Sequence, residues 1–328
     1  MDDKNVRISM AKRAFVSTPN VNTILKNMGR CRDYSDLETE PTCMMVYGAS
    51  GVGKTTIIKK YLKQNQGDSN LEGDIVPVLY IELPENAKPV DAAREMLLAL
   101  NDPLALSESD SAVLTKRIVE LAPALKIELI IIDEFQHLVE KSSNKVLSRV
   151  GDWLKMILNK TKCPMVLFGM PYSKVVLDAN SQLQGRFSIQ LHLRPFSYQH
   201  DKGTFEIFLK SLDAALPFKK SSGLSSEKMQ KKLYAFSNGN MRSLRNLIYQ
   251  ASIQAIEKGC DSINEEDWVF ASELTSGDKP STWRNPFIAG TTITKQMLAD
   301  PPKTIGWEDY LRNNKKRGKP GDISELFR

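Results

Sequence analysis

The chain has 328 residues, of which 41% are hydrophobic and 26% charged, and this composition excludes collagen-like and wholly disordered proteins. The formal net charge is +6, which permits contact with nucleic acid without requiring it. No apolar run reaches the roughly 18 residues of a membrane span and the first residues lack the apolar stretch of a signal peptide, so we expect a cytoplasmic protein without membrane contact.

Residues 1–40 are polar with scattered apolar positions, and they predict an N-terminal arm with one short helix. From residue 41 to 195, short apolar runs alternate with stretches of helical periodicity. The predicted strands are 44–47, 78–83, 127–132, 165–168 and 189–193, and the predicted helices between them are 54–64, 90–100, 111–121 and 146–159. This alternation predicts an α/β core with right-handed crossovers and a parallel sheet covered on both faces by helices.

The strand signals stop after Pro195, and helical stretches at 199–212, 225–236, 241–258 and 264–274 predict a small all-helical lid over residues 196–274. Residues 275–328 form a basic tail, which we expect to be poorly ordered. Its basic run at 314–319 could clamp DNA, and its aromatic residues could dock on a partner protein. These aromatic residues are Trp283, Phe287, Trp307 and Tyr310. The alternative is a tail that only keeps the protein in solution.

The strongest motif is GASGVGKT at residues 48–55, a GxxxxGK[ST] phosphate-binding loop between a predicted strand and a predicted helix. Its glycines allow successive backbone N–H groups to face a phosphate chain, and the helix N-terminus adds partial positive charge. Lys54 would reach the β- and γ-phosphates, and Thr55 would offer a hydroxyl to Mg²⁺. The motif therefore predicts binding of ATP with Mg²⁺. The nucleotide-binding candidates here are Gly48, Ala49, Ser50, Gly51, Val52, Gly53, Lys54, Thr55 and Thr56.

The apolar run LIIIDE at residues 129–134 predicts a buried strand that ends in two acids. Asp133 could order the water shell of Mg²⁺ opposite Thr55, and Glu134 could act as the base that polarises the attacking water. Since an acid in this role serves to activate water, the pair favours ATP hydrolysis over phosphoryl transfer to a small molecule.

Two arginines complete the predicted catalytic set. Arg186, in LQGRF, precedes the last predicted strand, where a surface loop could present it to the γ-phosphate of a neighbouring subunit. Arg242, in GNMRSL, opens a helix of the predicted lid and could sense the nucleotide from there. Arg245, one turn further along, could take that role instead.

In this order and spacing, the four motifs resemble the Walker A, Walker B, arginine-finger and sensor-2 elements of an AAA+ ATPase over residues 41–272. The layout of arm, core, lid and charged tail resembles the TniB/TnsC family, the AAA+ regulators of Tn-type and CRISPR-associated transposons. One departure stands out. The fourth strand is followed by Gly169-Met170-Pro171, where the family usually has a polar sensor-1 residue, and Ser173 is a possible substitute.

The resemblance implies a homo-oligomer that assembles with ATP into a ring or helical filament on double-stranded DNA and passes a target-site decision from a selector protein to the transposase. It places DNA contacts after the second strand, although these side chains could equally be solvated helix charges. The DNA-contact candidates are Lys88, Arg94, Thr115, Lys116 and Arg117.

Two other functions stay open. Another AAA+ DNA protein, of the replication-initiator or helicase-loader type, would share the core, but no clean helix-turn-helix pattern follows Ser276. A small-molecule P-loop kinase is less consistent with the motifs, because Glu134 fits water activation and a kinase needs an acceptor pocket with an arginine-rich lid.

Overall fold

The computed structural model describes residues 3–37, 39–70, 73–140, 144–277 and 283–300. These residues form two compact units. The first, which we call the α/β unit, comprises residues 21–50 and 54–193. The second, which we call the helical unit, comprises residues 3–20, 51–53 and 194–300. Both exclude the gaps given above. Within the described ranges, no helix has the length and apolar character needed to cross a membrane.

The described part of the chain contains seven strands and thirteen α-helices. The strands are β1 (Met44–Tyr47), β2 (Asp68–Asn70), β3 (Gly73–Ile75), β4 (Val78–Glu82), β5 (Leu129–Asp133), β6 (Met165–Gly169) and β7 (Ile189–His192). The helices are α1 (Asp3–Arg13), α2 (Pro19–Asp33), α3 (Lys54–Gln64), α4 (Pro89–Ala99), α5 (Leu104–Ser107), α6 (Ser111–Ala124), α7 (Asn144–Thr161), α8 (Val175–Asp178), α9 (Ser181–Arg186), α10 (Lys202–Ala215), α11 (Glu227–Ser237), α12 (Met241–Glu257) and α13 (Glu265–Thr275).

The α/β unit is built on a five-stranded sheet in the order β4-β5-β6-β1-β7, with every pairing parallel. Strands β5 and β6 are buried along their whole length, as expected for parallel strands covered on both faces. In the register, Tyr47 lies opposite Gly169 and Asp133 lies opposite Glu82. The carboxyl ends of the central strands therefore lie along one edge of the sheet. This arrangement confirms the predicted fold class.

Several helices of the structure begin at residues that cap them. The Asp110 carboxylate accepts a hydrogen bond from the Ala112 amide at 2.7 Å at the start of α6. The Asn240 side chain accepts from the amides of Arg242 and Ser243 at the start of α12. Such caps satisfy backbone donors that have no partner within the helix, so they fix where each helix begins.

The helical unit packs α10–α13 around an apolar core that includes Phe205, Tyr234 and Trp268. Helix α1 joins this core through Ala11 and packs against α12. The Arg245 guanidinium donates to the carbonyls of Ala11 at 3.5 Å and Lys12 at 3.2 Å, at the C-terminal end of α1. The N-terminal arm thus contains two helices where one was expected, and the first of them belongs to the helical unit.

Residues 283–300 pack on helices α11 and α13 of the helical unit, which corrects the expectation of exposed, poorly ordered aromatic residues there. Phe287 is 5% exposed and stacks on Trp268 with ring centroids 5.6 Å apart, and Trp283 meets Phe236 edge to face. The prediction that Trp283 and Phe287 await a partner protein was wrong, because the lid itself covers them. Trp307, Tyr310 and the basic run at 314–319 lie outside the described residues.

Candidate active site

The carboxyl edge of the sheet places the glycine loop beside the acids that end β5. The glycine loop follows β1, Asp133 ends β5, and Gly169 ends β6. The Gly48 amide donates to the Gly169 carbonyl at 3.1 Å, so the loop is fastened to the neighbouring strand at its first residue. In open parallel sheets, ligands bind outside this edge, where the loops leave the strands.

The glycine loop has the backbone that its sequence predicts. Gly51 and Gly53 have φ values of +79° and +105°, a region that residues with a Cβ rarely adopt. Lys54 is 7% exposed, and its ammonium group donates to the carbonyls of Gly48 at 2.8 Å and Ala49 at 3.2 Å. The lysine is therefore held inside the loop, where its charge can reach a phosphate group.

Thr55 and Asp133 meet directly across the site. The Thr55 hydroxyl donates to Oδ2 of Asp133 at 2.8 Å, and the Glu134 amide donates to Oδ1 at 2.8 Å. Asp133 is fully buried, and this burial raises its pKa above the ordinary value, although the two hydrogen bonds work in the opposite direction. A cation beside these oxygen atoms would offset the cost of the buried charge.

Glu134 lies at the point where the chain leaves β5, and its backbone is left-handed, with φ +53° and ψ +36°. A non-glycine residue in this region stores strain of about 1 kcal/mol or more. Its carboxylate accepts a hydrogen bond from Nε2 of Gln136, a residue that the motif analysis did not single out. Gln136 is 5% exposed, and a buried polar residue of this kind has no signature in a single sequence.

Ser173 places its hydroxyl beside Gly169, at the carboxyl end of β6. It is fully buried and donates to the Met170 carbonyl at 2.5 Å, closing the short turn of Pro171–Lys174. The side chain of Gln136 also reaches the end of β6, where its Oε1 accepts from the Met170 amide at 3.1 Å. Two buried polar side chains, those of Ser173 and Gln136, therefore lie beside the end of β6.

Arg186 ends α9, and its guanidinium forms an ion pair with Glu40 at 2.6 Å. The Arg186 side chain is 13% exposed, whereas that of Glu40 is 60% exposed. Arg186 is thus a largely buried residue at the end of a helix, which corrects the expectation of a surface loop, and its partner Glu40 lies mostly in solvent.

The two lid arginines differ in their surroundings. Arg242 is exposed at the first turn of α12, and its backbone amide donates to the carbonyl of Gly51, which belongs to the same unit, at 2.8 Å. The guanidinium of Arg245 donates hydrogen bonds to the C-terminal carbonyls of α1, and burial lowers its pKa. Of Arg242 and Arg245, Arg242 has the exposed side chain.

The DNA-contact candidates lie on α4 and α6 or beside them, in three kinds of environment. Lys88 is exposed before α4, and Lys116 is 79% exposed with only a loose contact to Glu120. Arg117 pairs at 2.8 Å with Asp102, whose side chain is 4% exposed, and this hydrogen bond raises the pKa of the guanidinium.

The remaining two candidates are held by contacts within the chain. Arg94 is bound to Asp91 at 3.1 Å and to the Glu108 carbonyl at 3.4 Å. Thr115 is 2% exposed, and its hydroxyl donates to the Ser111 carbonyl. Thr115 therefore cannot contact a phosphate in this conformation, which corrects its place in the predicted set.

The fold and the site together define the class of protein, an AAA+ P-loop ATPase. A family model described as "TniB: Bacterial TniB protein" matches residues 7–198, more than half of the chain. The protein belongs to the TniB family. Comparison with curated proteins gives no significant match.

Several solved structures share this fold. The ORC1 protein of Aeropyrum pernix in complex with DNA has a TM-score of 0.58 and 15% identity, over 79% of this chain and 66% of that one. The ORC2 protein of the same organism, in ADPNP-ADP complexes, has a TM-score of 0.54 and 16% identity, over 83% and 72%. Domain III of the Thermotoga maritima replication initiation protein DnaA has a TM-score of 0.50 and 16% identity, over 82% and 98%. At these identities the likeness shows the shared fold.

Proposed function

We propose that this ATPase is a regulator of transposition that assembles with ATP as a homo-oligomer on double-stranded DNA and connects a target-selector protein with transposase subunits. The observation that carries this proposal is the meeting of Lys54, Thr55, Asp133 and Glu134 at the carboxyl edge of the sheet, in a chain that belongs to the TniB family. The site would act as a switch that depends on the bound nucleotide. Membership of the TniB family is the reason for proposing that this switch acts in transposition.

The residues present fit Mg²⁺ together with ATP. Thr55 and Asp133 offer adjacent oxygen ligands, which this cation prefers, and bound phosphates and water would complete its coordination. When bound, Mg²⁺ neutralises charge that develops on the phosphates. Lys54 would exchange the carbonyls of Gly48 and Ala49 for phosphate oxygens, while Glu134 takes a proton from the attacking water.

Arg186 would complete the active site of a neighbouring subunit. To do so, its guanidinium would leave Glu40 for the γ-phosphate, a partner with greater negative charge. Arg242 would sense the nucleotide from the helical unit. A catalytic group supplied by the neighbour makes hydrolysis depend on assembly, which is the property that a regulator needs.

Among the DNA-contact candidates, we propose Lys88 and Lys116 as the main phosphate-binding residues, because their side chains are exposed. Arg94 and Arg117 would contribute less, because each side chain is about one-third exposed and already bound to a carboxylate. Contacts to phosphates would make binding largely independent of sequence and sensitive to salt.

A replication-initiator or helicase-loader role is the second candidate function, and the fold shared with the ORC and DnaA structures favours it. It uses the same ATP switch on DNA but a different partner. Binding of the purified protein to a transposase, compared with binding to a replicative helicase, separates the two roles.

A mixing experiment tests the shared active site. Arg186→Ala keeps an intact nucleotide site but offers no finger, and Glu134→Gln keeps the finger but cannot activate water. We expect each variant alone to lose at least about 100-fold in ATPase rate. A 1:1 mixture should recover roughly one quarter of the wild-type rate, the share of head-to-tail interfaces that pair an intact site with an intact finger.

Arg149→Ala, which removes an exposed arginine of α7, is the matched control and should keep the wild-type rate. Wild-type specific activity should also rise with protein concentration. Co-assembly of the two inactive variants without any recovery of activity would contradict the proposal that Arg186 acts on a neighbour.

A further inference from the structure

Gln136 is a buried polar residue two positions after Glu134, within the short turn of Phe135–Leu138. Its neighbours Phe135 and Leu138 belong to the apolar core of the α/β unit. A buried amide is costly unless its groups are hydrogen-bonded, so its contacts indicate why it is tolerated there.

The two ends of the Gln136 amide bind different parts of the site. Oε1 accepts from the backbone amide of Met170, and because an N–H group can only donate, this contact fixes which end is the oxygen. Nε2 then faces Glu134 and donates to its Oε2. The carboxylate of Glu134 is therefore oriented by a neutral donor, which leaves Oε1 of Glu134 available for a water molecule.

The Met170 end of this contact is held firmly. Ser173 closes the turn that Met170 begins, and the hydroxyl of Tyr172 donates to Glu140, which follows the turn of Gln136. A Cβ on Gly169 would lie 2.6 Å from Oγ of Ser173, so the end of β6 is closely packed. Hydrogen bonds therefore connect the turn after β5 with the turn after β6.

These contacts extend as one chain of hydrogen bonds to the glycine loop. The Gly48 amide donates to the Gly169 carbonyl, the next residue donates to Gln136, and Gln136 donates to Glu134. The first residue of the phosphate loop is therefore connected to the carboxylate that would activate water.

We infer that Gln136 is a positioning residue for ATP hydrolysis, which orients the Glu134 carboxylate and couples it to the glycine loop through Met170 and Gly169. This inference rests on the proposed role of Glu134. Because Gln136 acts through Glu134, its removal lowers the rate of hydrolysis without weakening the binding of nucleotide.

Gln136→Met tests the inference, since it keeps the length of the side chain and removes both hydrogen bonds. We expect kcat to fall roughly 10- to 100-fold, as for a misplaced catalytic group, with KM and the Kd of a non-hydrolysable ATP analogue within about twofold of wild type. The Met170 amide, having lost its acceptor, should also exchange faster with deuterium in the absence of nucleotide. Gln64→Met, which changes an exposed glutamine of α3, is the control and should alter none of these values.

The decisive measurement is the double variant. In a Glu134→Gln background, Gln136→Met should cause no further loss in single-turnover rate, because a group that acts through Glu134 has nothing left to position. The same fold-loss in both backgrounds, or an unchanged kcat in Gln136→Met, would overturn the inference. If Gln136→Met does not fold, Gln136→Asn, a neutral amide too short to contact both Met170 and Glu134, replaces it in the same double-variant comparison. If Glu134→Gln alone hydrolyses ATP normally, the proposed function fails and not merely the role of Gln136.

Discussion

Asp133 carries its charge at a position from which water is excluded. Thr55 and the Glu134 amide each give it one hydrogen bond, yet burial still raises its pKa. The folded protein therefore favours the protonated form of Asp133 more strongly than the unfolded chain does. The contribution of Asp133 to the free energy of unfolding decreases as the pH rises above about 4, because an aspartate in the unfolded chain ionises there. This contribution is least favourable at pH values above the raised pKa of the folded protein.

Asp133→Asn should consequently stabilise the protein at pH 7 while abolishing Mg²⁺-dependent hydrolysis. The asparagine can accept from the Glu134 amide and donate to the Thr55 hydroxyl, so neither partner loses its hydrogen bond. We expect a rise in Tm of roughly 2–4 °C at pH 7 that shrinks toward pH 4, measured by thermal unfolding without nucleotide.

Asp152→Asn, at an exposed aspartate of α7, is the control and should change the free energy of unfolding by less than about 0.5 kcal/mol at either pH. A lower Tm for Asp133→Asn at pH 7 would show that the buried charge does not destabilise the fold.

Sequence alone predicted the residues whose position follows from a local motif. Lys54, Thr55, Asp133 and Glu134 could be named because a strand, a glycine loop and a helix dictate their places. Contacts between distant residues were not predictable in this way. Glu40 reaches Arg186 across 146 positions, and a single sequence contains no sign of that pairing.

Most elements of both units were predicted within a few residues, because their apolar periodicity is strong. The β2–β3 hairpin was missed, since its two strands have three residues each and few apolar side chains. The packing of α1 and of residues 283–300 on the lid was missed for a different reason. Apolar residues such as Phe287 show that a segment has a partner but not which partner.

Helix α12 allows a paired test of its two arginines. Arg245→Ala removes a partly buried guanidinium from the C-terminal carbonyls of α1, where a cation is favourable. We expect it to lower the free energy of unfolding by about 1–3 kcal/mol and to speed amide exchange within α1. Urea titration and hydrogen exchange measure the two effects.

Arg242→Ala is the matched variant one turn earlier. Because Arg242 is exposed, it should change stability by less than about 0.5 kcal/mol while lowering the ATPase rate. Equal destabilisation by the two variants would contradict the division of roles, as would an unaffected α1 in Arg245→Ala.

At the scale of the whole molecule, the α/β unit contains the candidate catalytic residues Lys54, Asp133, Glu134 and Arg186, and the helical unit contains Arg242 and the arm helix α1. Membership of the TniB family and the fold confirm the family resemblance and the fold class that the motifs predict. The proposed regulator works only if nucleotide state controls assembly, and that control is the central claim.

Imaging tests this claim most directly. Wild-type protein and Lys54→Ala would be examined by negative-stain electron microscopy and gel shift with duplex DNA, with an ATP analogue, with ADP and without nucleotide, at two salt concentrations. A Lys88→Ala/Lys116→Ala double variant tests whether these two side chains face DNA. If they do, the slope of the logarithm of the binding constant against the logarithm of the salt concentration should decrease in magnitude by about one for each lost phosphate contact.

We predict rings or filaments on DNA only for wild-type protein with the ATP analogue, weaker binding at high salt, and no assembly by Lys54→Ala. Assembly of Lys54→Ala equal to that of wild type would contradict the nucleotide switch. A monomer that ignores DNA under every condition would contradict the whole account and favour a small-molecule kinase.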